Sequence, residues 1–300
     1  MASGVSVGGS EFELSAADEV LEESFIQQQM ARGRMVQDMI HHLGFMNTCR
    51  VVYGRLAGAE ERNDVITVNQ PYLSFPVRMT INPIDLYNYE EVIKDRAYEL
   101  PDGLHDDMNG RQIVDLGGFI GLAATFLASR YADSPVLSVE PHPRNYALLE
   151  ANAEPYEGRI QTRFAAVSPV PGVALATHHG SHTQDYMGNN FSVDTDDGFS
   201  NLVPLDRLPP AITPEDIVAQ TGGDTIGILK VDIEGAERAL FRSEGIHELL
   251  SRTAVLMVET HDRLMPGCDE AVRSAVARHG FSEEESLSCH TTTFVQAGLA

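Results

Sequence analysis

After Gly110, short apolar segments alternate with a Gly-rich turn and with helical segments, and this order restricts the chain to few folds. Gln112–Leu116 and Val136–Glu140 are predicted as strands, and Ile120–Tyr131 and Asn145–Ala153 as the helices that follow them. Strands joined through helices lie parallel in one sheet, because only a long crossover returns the chain to the same end. The sequence therefore predicts an α/β domain with a mostly parallel sheet and helices on both faces.

The second half of the chain continues this alternation and ends in a pattern typical of an antiparallel strand pair. Ala254–Glu259 is the most apolar of these segments, which predicts a central position in the sheet. The further predicted strands are Arg163–Val167 and Ile226–Asp232, the helices are Ala236–Arg242 and Asp269–His279, and the closing pair is Gly280–Phe281 with Thr292–Val295.

The region before the α/β domain is predicted to be an extension of helices and short strands. Residues 1–14 are small and polar, as expected for a flexible tail, and residues 15–105 form the extension. The domain itself covers 106–300. Within the extension, the segments are a helical region from a capping box at Ser15–Asp18 to Leu43, strands at Arg50–Tyr53, Val65–Val68 and Phe75–Met79, a helix at Asp85–Arg96 and a turn at Pro101–Gly103.

Composition limits the classes of partner. The net charge of −23, with 44 acidic and 21 basic residues, opposes a nucleic acid or an anionic membrane. The 3 cysteines have no zinc-like or disulfide spacing, and no secretory signal or membrane-spanning segment is evident. We therefore expect a cytoplasmic protein that acts on a small molecule. Whether it forms a homodimer is left open.

The turn between the first strand and its helix has the composition of a cofactor-binding loop. Asp115 ends the strand, and Gly117, Gly118 and Gly121 would let backbone amides approach a ligand. Asp115 could accept a hydrogen bond from a ligand ammonium or merely cap the turn. Ligands of open parallel sheets bind at this end of the strands.

Glu140 ends the next strand about 25 residues later, where dinucleotide-binding folds place the acid that binds ribose hydroxyls. A dinucleotide fingerprint requires a second glycine where this chain has Phe119, whose side chain would obstruct a pyrophosphate. The pattern therefore favours S-adenosylmethionine. Pro141, after Glu140, and Ala166, in the third strand, complete the predicted cofactor site.

Polar residues also end the next two strands. Asp232 is predicted to be catalytic, with an N-cap role as the alternative, and Glu234 and Glu259 are predicted to contact substrate. His261 is the candidate general base for a substrate hydroxyl. The same acids and His could instead hold a divalent metal ion, which we do not favour. Glu237 is expected to make a structural contact from within its helix.

Three blocks of sequence resemble the FkbM family of methyltransferases. They are Val114–Gly121, Val139–Pro143 with Asn152 downstream, and Leu229–Glu237, of which the last is the most specific. The resemblance covers roughly residues 75–261. It implies a Rossmann-like class I methyltransferase fold, S-adenosylmethionine as cofactor, and O-methylation of a sugar, polyketide or similar metabolite.

The chain departs from the family pattern at Phe119, where Asn is common, and at the long polar segment Thr177–Asn201, for which we find no counterpart. That segment is predicted to be a long loop or irregular hairpin that selects the substrate. The alternatives to a methyltransferase are a nicotinamide-dependent oxidoreductase and a non-catalytic metabolite-binding module on the same fold.

Overall fold

The computed structural model describes residues 37, 39–56, 64–101, 103–172, 176–179, 189–192, 209–284, 286, 288 and 290–298. The chain divides into two compact units, residues 1–52 and 53–300. The predicted tail, the capping box at Ser15–Asp18 and most of Thr177–Asn201 lie outside the described residues. None of the described helices is long and apolar enough to cross a membrane.

The predicted strand at Arg50–Tyr53 is wrong, because these residues lie within helix α1, Phe45–Leu56. The β-branched pair Val51 and Val52 suggested a strand. In the structure, however, Thr48 and Val51 are buried, and their separation of three residues matches a helical period. Burial at helical spacing overrides the local β-propensity.

The second unit contains a short hairpin close to two of the strands predicted from the sequence. Strands β1, Val65–Val68, and β2, Val77–Thr80, pair antiparallel. Helix α2, Pro83–Tyr89, begins at Asn82, whose side chain accepts a hydrogen bond from the Asp85 amide at 2.7 Å. It continues as a π-helical turn, Glu90–Lys94, and a short helix, α3, follows at His105–Met108.

A seven-stranded sheet in the order β12-β13-β11-β10-β3-β4-β5 forms the centre of this unit. Strand β13 runs antiparallel to both of its neighbours, and the pairs from β11 to β5 are all parallel. The predicted class I methyltransferase fold with its closing antiparallel pair is confirmed. The strands are β3 Gln112–Leu116, β4 Val136–Glu140, β5 Ile160–Phe164, β10 Ile226–Val231, β11 Thr253–Glu259, β12 Phe281–Glu284 and β13 Thr291–Gln296.

Two predictions about the sheet need correction. Strand β10, and not the more apolar β11, is the fourth of the seven strands. An apolar sequence indicates that both faces of a strand are buried, and β11, next to the middle strand, is also buried on both faces. The strand predicted at Arg163–Val167 is divided: β5 ends at Phe164, and Ala166–Val167, β6, pairs instead with β9, Ala211–Ile212.

The segment predicted as a loop or irregular hairpin contains an antiparallel pair, β7 Ala176–His179 and β8 Asn189–Ser192.

Side chains of alternate residues separate the two faces of the sheet. Val114 and Leu229 point into the main apolar core, together with residues of the helices that follow β9, β10 and β11. The intervening positions, Asp115 and Lys230, face the opposite side, where α5 contributes Leu149. The helices beside the sheet are α4 Leu122–Arg130, α5 Pro143–Ala153, α6 Pro214–Gln220, α7 Glu237–Phe241, α8 Gly245–Ser251 and α9 Cys268–Ala277.

A buried ion pair joins the neighbouring strands β3 and β10 on the face of the sheet opposite the main apolar core. The Lys230 ammonium lies 3.1 Å from an Asp115 carboxylate oxygen and donates a hydrogen bond of 2.6 Å to the Gly117 carbonyl. The second Asp115 oxygen accepts a hydrogen bond from the Ser138 hydroxyl at 2.7 Å. Burial alone would lower the pKa of Lys230, but the charge and hydrogen bond of Asp115, together with Tyr98 and the charge of Asp232, outweigh burial and keep that pKa well above its ordinary value.

Replacing Lys230 by methionine should lower the free energy of unfolding by about 3–5 kcal/mol, because it leaves the buried Asp115 carboxylate without its counter-ion. Urea denaturation measures the change. The double variant Asp115→Asn/Lys230→Met removes both charges and should recover part of the loss. A single variant within about 1 kcal/mol of the wild type would contradict the role assigned to this pair.

Candidate active site

The Gly-rich turn after β3 lies directly against the end of β10. Gly117 and Gly121 have positive φ angles of 86° and 87°, and Phe119 has a φ of 47°. A Cβ atom on Gly117 would lie 1.7 Å from the Asp232 carbonyl oxygen, so only glycine fits this position. The sequence uses glycine here to bring the turn and the Asp232 backbone into contact.

Glu140 closes this turn from the neighbouring strand. Its buried carboxylate accepts hydrogen bonds from the Phe119 and His142 amides, both at 2.8 Å. The Asn145 side chain donates a longer one, at 3.4 Å. Burial raises the pKa of Glu140 to about 7, against these hydrogen bonds, which lower it. A carboxylate has about four lone-pair positions, so Glu140 keeps capacity for a ligand hydroxyl.

Three of the predicted cofactor residues lie behind the turn rather than on its open side. Asp115 is fully buried against Lys230. A Cβ on Gly118 would lie 2.2 Å from the Ser138 hydroxyl, and one on Gly121 would lie 2.9 Å from Leu149. These residues shape the turn, and they do not line the cavity described next.

One cavity of about 530 Å³ borders both groups of predicted site residues. Its lining also includes residues that the sequence did not single out as site residues, from the α2 region and from the segments after β11 and before β13. Those additional residues include Tyr87, Asn88, Glu91, Arg263 and His290. The predicted site residues in the lining are Gly117, Glu140, Pro141, Ala166, Asp232, Glu234, Glu259 and His261.

His261 lies at the centre of an acidic cluster. Its Nδ1 atom is 3.0 Å from a Glu237 carboxylate oxygen. Its Nε2 atom is 3.5 Å from Glu234, 3.7 Å from Asp232 and 3.8 Å from Glu259. The first distance is that of a hydrogen bond, whereas the other three are longer. The ring is therefore anchored through Nδ1 and presents Nε2 to a ring of carboxylates.

The pKa values of Glu259, Glu234 and His261 are all raised, although burial acts on the acids and on the His in opposite directions. Burial raises the pKa of Glu259 to about 8 and of Glu234 to about 7, and the charge of Asp232 adds to both shifts. Burial alone would lower the pKa of His261, but the hydrogen bond and charge of Glu237, with the charges of Glu234 and Asp232, raise it to about 9. The cluster therefore shares protons near neutral pH.

Glu237 makes more contacts than the single structural contact expected from the sequence. One of its oxygens accepts hydrogen bonds from the Ile233 amide at 3.1 Å and the Gly235 amide at 3.3 Å, besides contacting His261. No local pattern signals this contact, because His261 lies 24 residues further along the chain.

Asp232, Glu234 and His261 could also hold a metal ion. Each offers one ligand atom, and these atoms all lie within 4.8 Å of one another. Carboxylate oxygens and an imidazole nitrogen suit several divalent ions. The geometry thus permits both of the roles considered from the sequence, general base and metal ligand.

Comparison with known proteins relates the chain to methyltransferases. The family described as the methyltransferase FkbM domain matches residues 115–282. The 31-O-demethyl-FK506 methyltransferase FkbM of Streptomyces tacrolimicus is 26% identical over 215 residues, which cover 65% of this chain and 80% of that protein. AMB antimetabolite synthetase AmbE of Pseudomonas aeruginosa is 23% identical over 228 residues, 65% of this chain. The chain spans only 10% of the length of AmbE.

Among solved structures, magnesium protoporphyrin IX methyltransferase (ChlM) from Synechocystis PCC 6803 with bound SAM is similar, at 12% sequence identity and a TM-score of 0.39. That similarity covers 71% of this chain and 82% of the other.

The raised pKa of Glu140 should make stability depend on pH. Between the ordinary value of 4.5 and the folded value of about 7, the folded chain keeps a proton that the unfolded chain has released. The unfolding free energy should therefore fall as pH rises through this window, by about 1.4 kcal/mol per unit of pKa difference. Glu140→Gln, which cannot ionise, should lack this component of the decline.

Urea denaturation from pH 4.5 to pH 7.5 of the wild type and Glu140→Gln measures this difference. Glu154→Gln serves as the matched control, because its side chain is 75% exposed and should follow the wild-type curve. If the curves of the wild type and Glu140→Gln stay parallel, Glu140 does not keep its proton as described.

Proposed function

The chain belongs to the FkbM family of methyltransferases, and from that premise we propose that it transfers a methyl group from S-adenosylmethionine to a hydroxyl oxygen of a small metabolite. The observation that carries the proposal is a single cavity bordered by Gly117 and Glu140 at one side and by the cluster around His261 at another. A methyl donor and its acceptor must meet in one space, and this cavity offers suitable groups for each.

The cofactor would lie along the ends of β3 and β4. Glu140 would accept hydrogen bonds from the ribose hydroxyls, and Pro141 and Ala166 would contact the adenine. The backbone of Gly117 would contact the aminoacyl end. Asp115 would act indirectly, since its buried contact with Lys230 supports the Gly117 carbonyl.

The acceptor would lie against the ends of β10 and β11. When bound, S-adenosylmethionine would supply the methyl group to the acceptor's hydroxyl oxygen and leave as S-adenosylhomocysteine, whose sulfur would keep the electron pair of the broken carbon–sulfur bond. The hydroxyl proton passes to Nε2 of His261, and Asp232, 3.7 Å away, stabilises the imidazolium that results. Glu234 and Glu259 would bind and orient the acceptor.

The His261 ring would be neutral, and so able to accept a proton, in a larger fraction of molecules when the cationic cofactor is bound. The surrounding acids raise the pKa of His261 to about 9, so the ring carries a proton at neutral pH. A cation bound in the same cavity disfavours the protonated ring and lowers that pKa toward neutrality. Cofactor binding would thus prepare the site for proton transfer.

The proposed acceptor class rests on the relatives. The name of the Streptomyces tacrolimicus protein specifies O-methylation of FK506 at position 31, and AmbE is named as an antimetabolite synthetase. Both names associate this type of domain with secondary metabolites, which supports a natural-product acceptor. The net charge of −23 supports a small molecule rather than a nucleic acid.

A nicotinamide-dependent reaction is less well supported. Phe119 occupies the turn at the position where a dinucleotide fingerprint has its second glycine, and its backbone amide is already bound by Glu140. A non-catalytic binding module would not need the acidic cluster at the far end of the cavity. Turnover therefore distinguishes an enzyme from a binding module.

Turnover can also separate a general base from a metal site. With S-adenosylmethionine and a panel of hydroxylated sugars and polyketides, His261→Ala should lower the rate of S-adenosylhomocysteine formation by roughly two to four orders of magnitude. Cofactor binding should survive. EDTA should leave the wild type unaffected, since we do not favour a metal ion in this reaction.

The comparison includes Asp232→Ala and a control variant, His279→Ala, whose side chain does not line the cavity. A wild type that loses activity in EDTA and regains it with Mg²⁺ or Mn²⁺ would overturn the proposed base, particularly if Asp232→Ala were as inactive as His261→Ala.

A further inference from the structure

We propose that Glu237 is a positioning residue for His261, and that its one carboxylate also holds the turn that carries Glu234. Glu237 belongs to the first turn of α7, and His261 follows the end of β11. The inference rests on the proposed function only where turnover is concerned, because the state of the His261 ring can be measured without substrate.

The contacts of Glu237 converge on a single oxygen atom. The residue is fully buried, with 0% of its surface exposed. Its Oε1 atom is 3.0 Å from Nδ1 of His261, 3.1 Å from the Ile233 amide nitrogen and 3.3 Å from the Gly235 amide nitrogen. A buried carboxylate is costly unless hydrogen bonds and an opposite charge compensate it. The protonated His261 ring and the two amides supply that compensation.

This arrangement determines which nitrogen of His261 is available. A carboxylate oxygen accepts hydrogen bonds, so Nδ1 must carry the hydrogen atom toward Glu237. When the ring is neutral, its lone pair then lies on Nε2, which is at the cavity. The carboxylates around Nε2 are at 3.5–3.8 Å, beyond the usual hydrogen-bond distance, and leave that position open to an acceptor hydroxyl.

The same oxygen restrains an unusual backbone turn. Glu234 has a φ of 54°, a left-handed conformation that is uncommon for residues other than glycine, and Gly235 follows with a φ of 100°. Glu237 accepts hydrogen bonds from the Ile233 and Gly235 amides, which flank Glu234, and these bonds hold the turn in place. In this conformation, a carboxylate oxygen of Glu234 lies 3.5 Å from Nε2 of His261.

Charged and titratable groups reach this pair from several elements. Asp232 and Glu234 follow β10, and Glu259 ends β11; all three face Nε2. Cys268, in α9, lies beside Glu237: burial raises the pKa of its thiol to about 12, and the charge of Glu237 contributes to that rise. Asp262 and the Arg238 amide also influence the pKa of Cys268.

Glu237 is the carboxylate within hydrogen-bond distance of the His261 ring, at 3.0 Å from Nδ1, whereas the carboxylates around Nε2 lie at 3.5–3.8 Å. Removing its charge should therefore lower the pKa of His261, while removal of a distant carboxylate should not. A residue with only a structural role would affect stability and leave the titration of His261 unchanged.

The test is an NMR titration of the His261 ring nitrogens in wild type, Glu237→Gln and Glu270→Gln. Gln at 237 keeps the size of the side chain and can still accept from the turn amides. The pKa of His261 should fall by about one to three units in Glu237→Gln. It should not change in Glu270→Gln, whose side chain is 79% exposed.

The wild type alone provides a second measurement, in case Glu237→Gln fails to fold. At pH 10, the neutral ring should be the tautomer with hydrogen on Nδ1, visible in the nitrogen chemical shifts. The tautomer with hydrogen on Nε2, or an unchanged pKa in a folded Glu237→Gln, would overturn the proposal.

Turnover completes the test. Glu237→Gln should lose about 100-fold or more in kcat at unchanged affinity for S-adenosylmethionine, because the neutral amide neither stabilises the protonated ring nor selects its Nδ1–H tautomer as the carboxylate does. A change in affinity for the cofactor with unchanged kcat would contradict a positioning role. The wild type could show the expected His261 pKa and tautomer and yet methylate no acceptor. That result would contradict the proposed function and would still support the role of Glu237 in holding the ring.

Discussion

The buried contact of Lys230 with Asp115 is the interaction on which the rest of the site depends. It joins the neighbouring strands β3 and β10 at the end where the Gly-rich turn begins. The same ammonium donates a hydrogen bond to the Gly117 carbonyl and lies 3.5 Å from Asp232. One side chain thus links the strand, the turn and the first acid of the cluster around His261. Because both charges are buried, the loss of either would leave the other uncompensated.

Two further carboxylates organise the loops above this pair. Glu140 accepts hydrogen bonds from the backbone amides of Phe119 and His142. Glu237 accepts hydrogen bonds from the backbone amides of Ile233 and Gly235. Each carboxylate therefore fixes a turn that contains a residue with positive φ, Phe119 in one case and Glu234 in the other. Such conformations persist only where surrounding contacts hold them. The turns face one cavity from two sides, which gives it a defined shape.

Much of this fold could be predicted from local patterns. Strands β3 and β4 have the predicted bounds, since apolar segments beside a Gly-rich turn indicate them directly. The ends of β4 and β10 then place Glu140 and Asp232 at one edge of the sheet. The segment Arg50–Tyr53 could not be assigned in this way, because four residues are too few to show a helical period, and the prediction of a strand was wrong.

Contacts between distant residues were the part that the sequence did not indicate. Lys230 pairs with Asp115, which is 115 positions earlier, and this pairing follows from the register of β3 beside β10. The contact of Glu237 with His261 likewise depends on how α7 lies beside the end of β11. Three predicted cofactor residues, Asp115, Gly118 and Gly121, lie behind the turn for the same reason: strand alternation and helix packing decide which side of a loop faces the cavity.

The central claim is that this cavity binds S-adenosylmethionine through Glu140. Isothermal titration calorimetry with S-adenosylmethionine, S-adenosylhomocysteine and NAD tests it most directly, in the wild type and in Glu140→Ala. We expect that the wild type binds the first two ligands and not NAD, and that Glu140→Ala binds them roughly 10- to 100-fold more weakly, because charge-assisted hydrogen bonds are lost. Preference for NAD, or unchanged affinity in a folded Glu140→Ala variant, would contradict it.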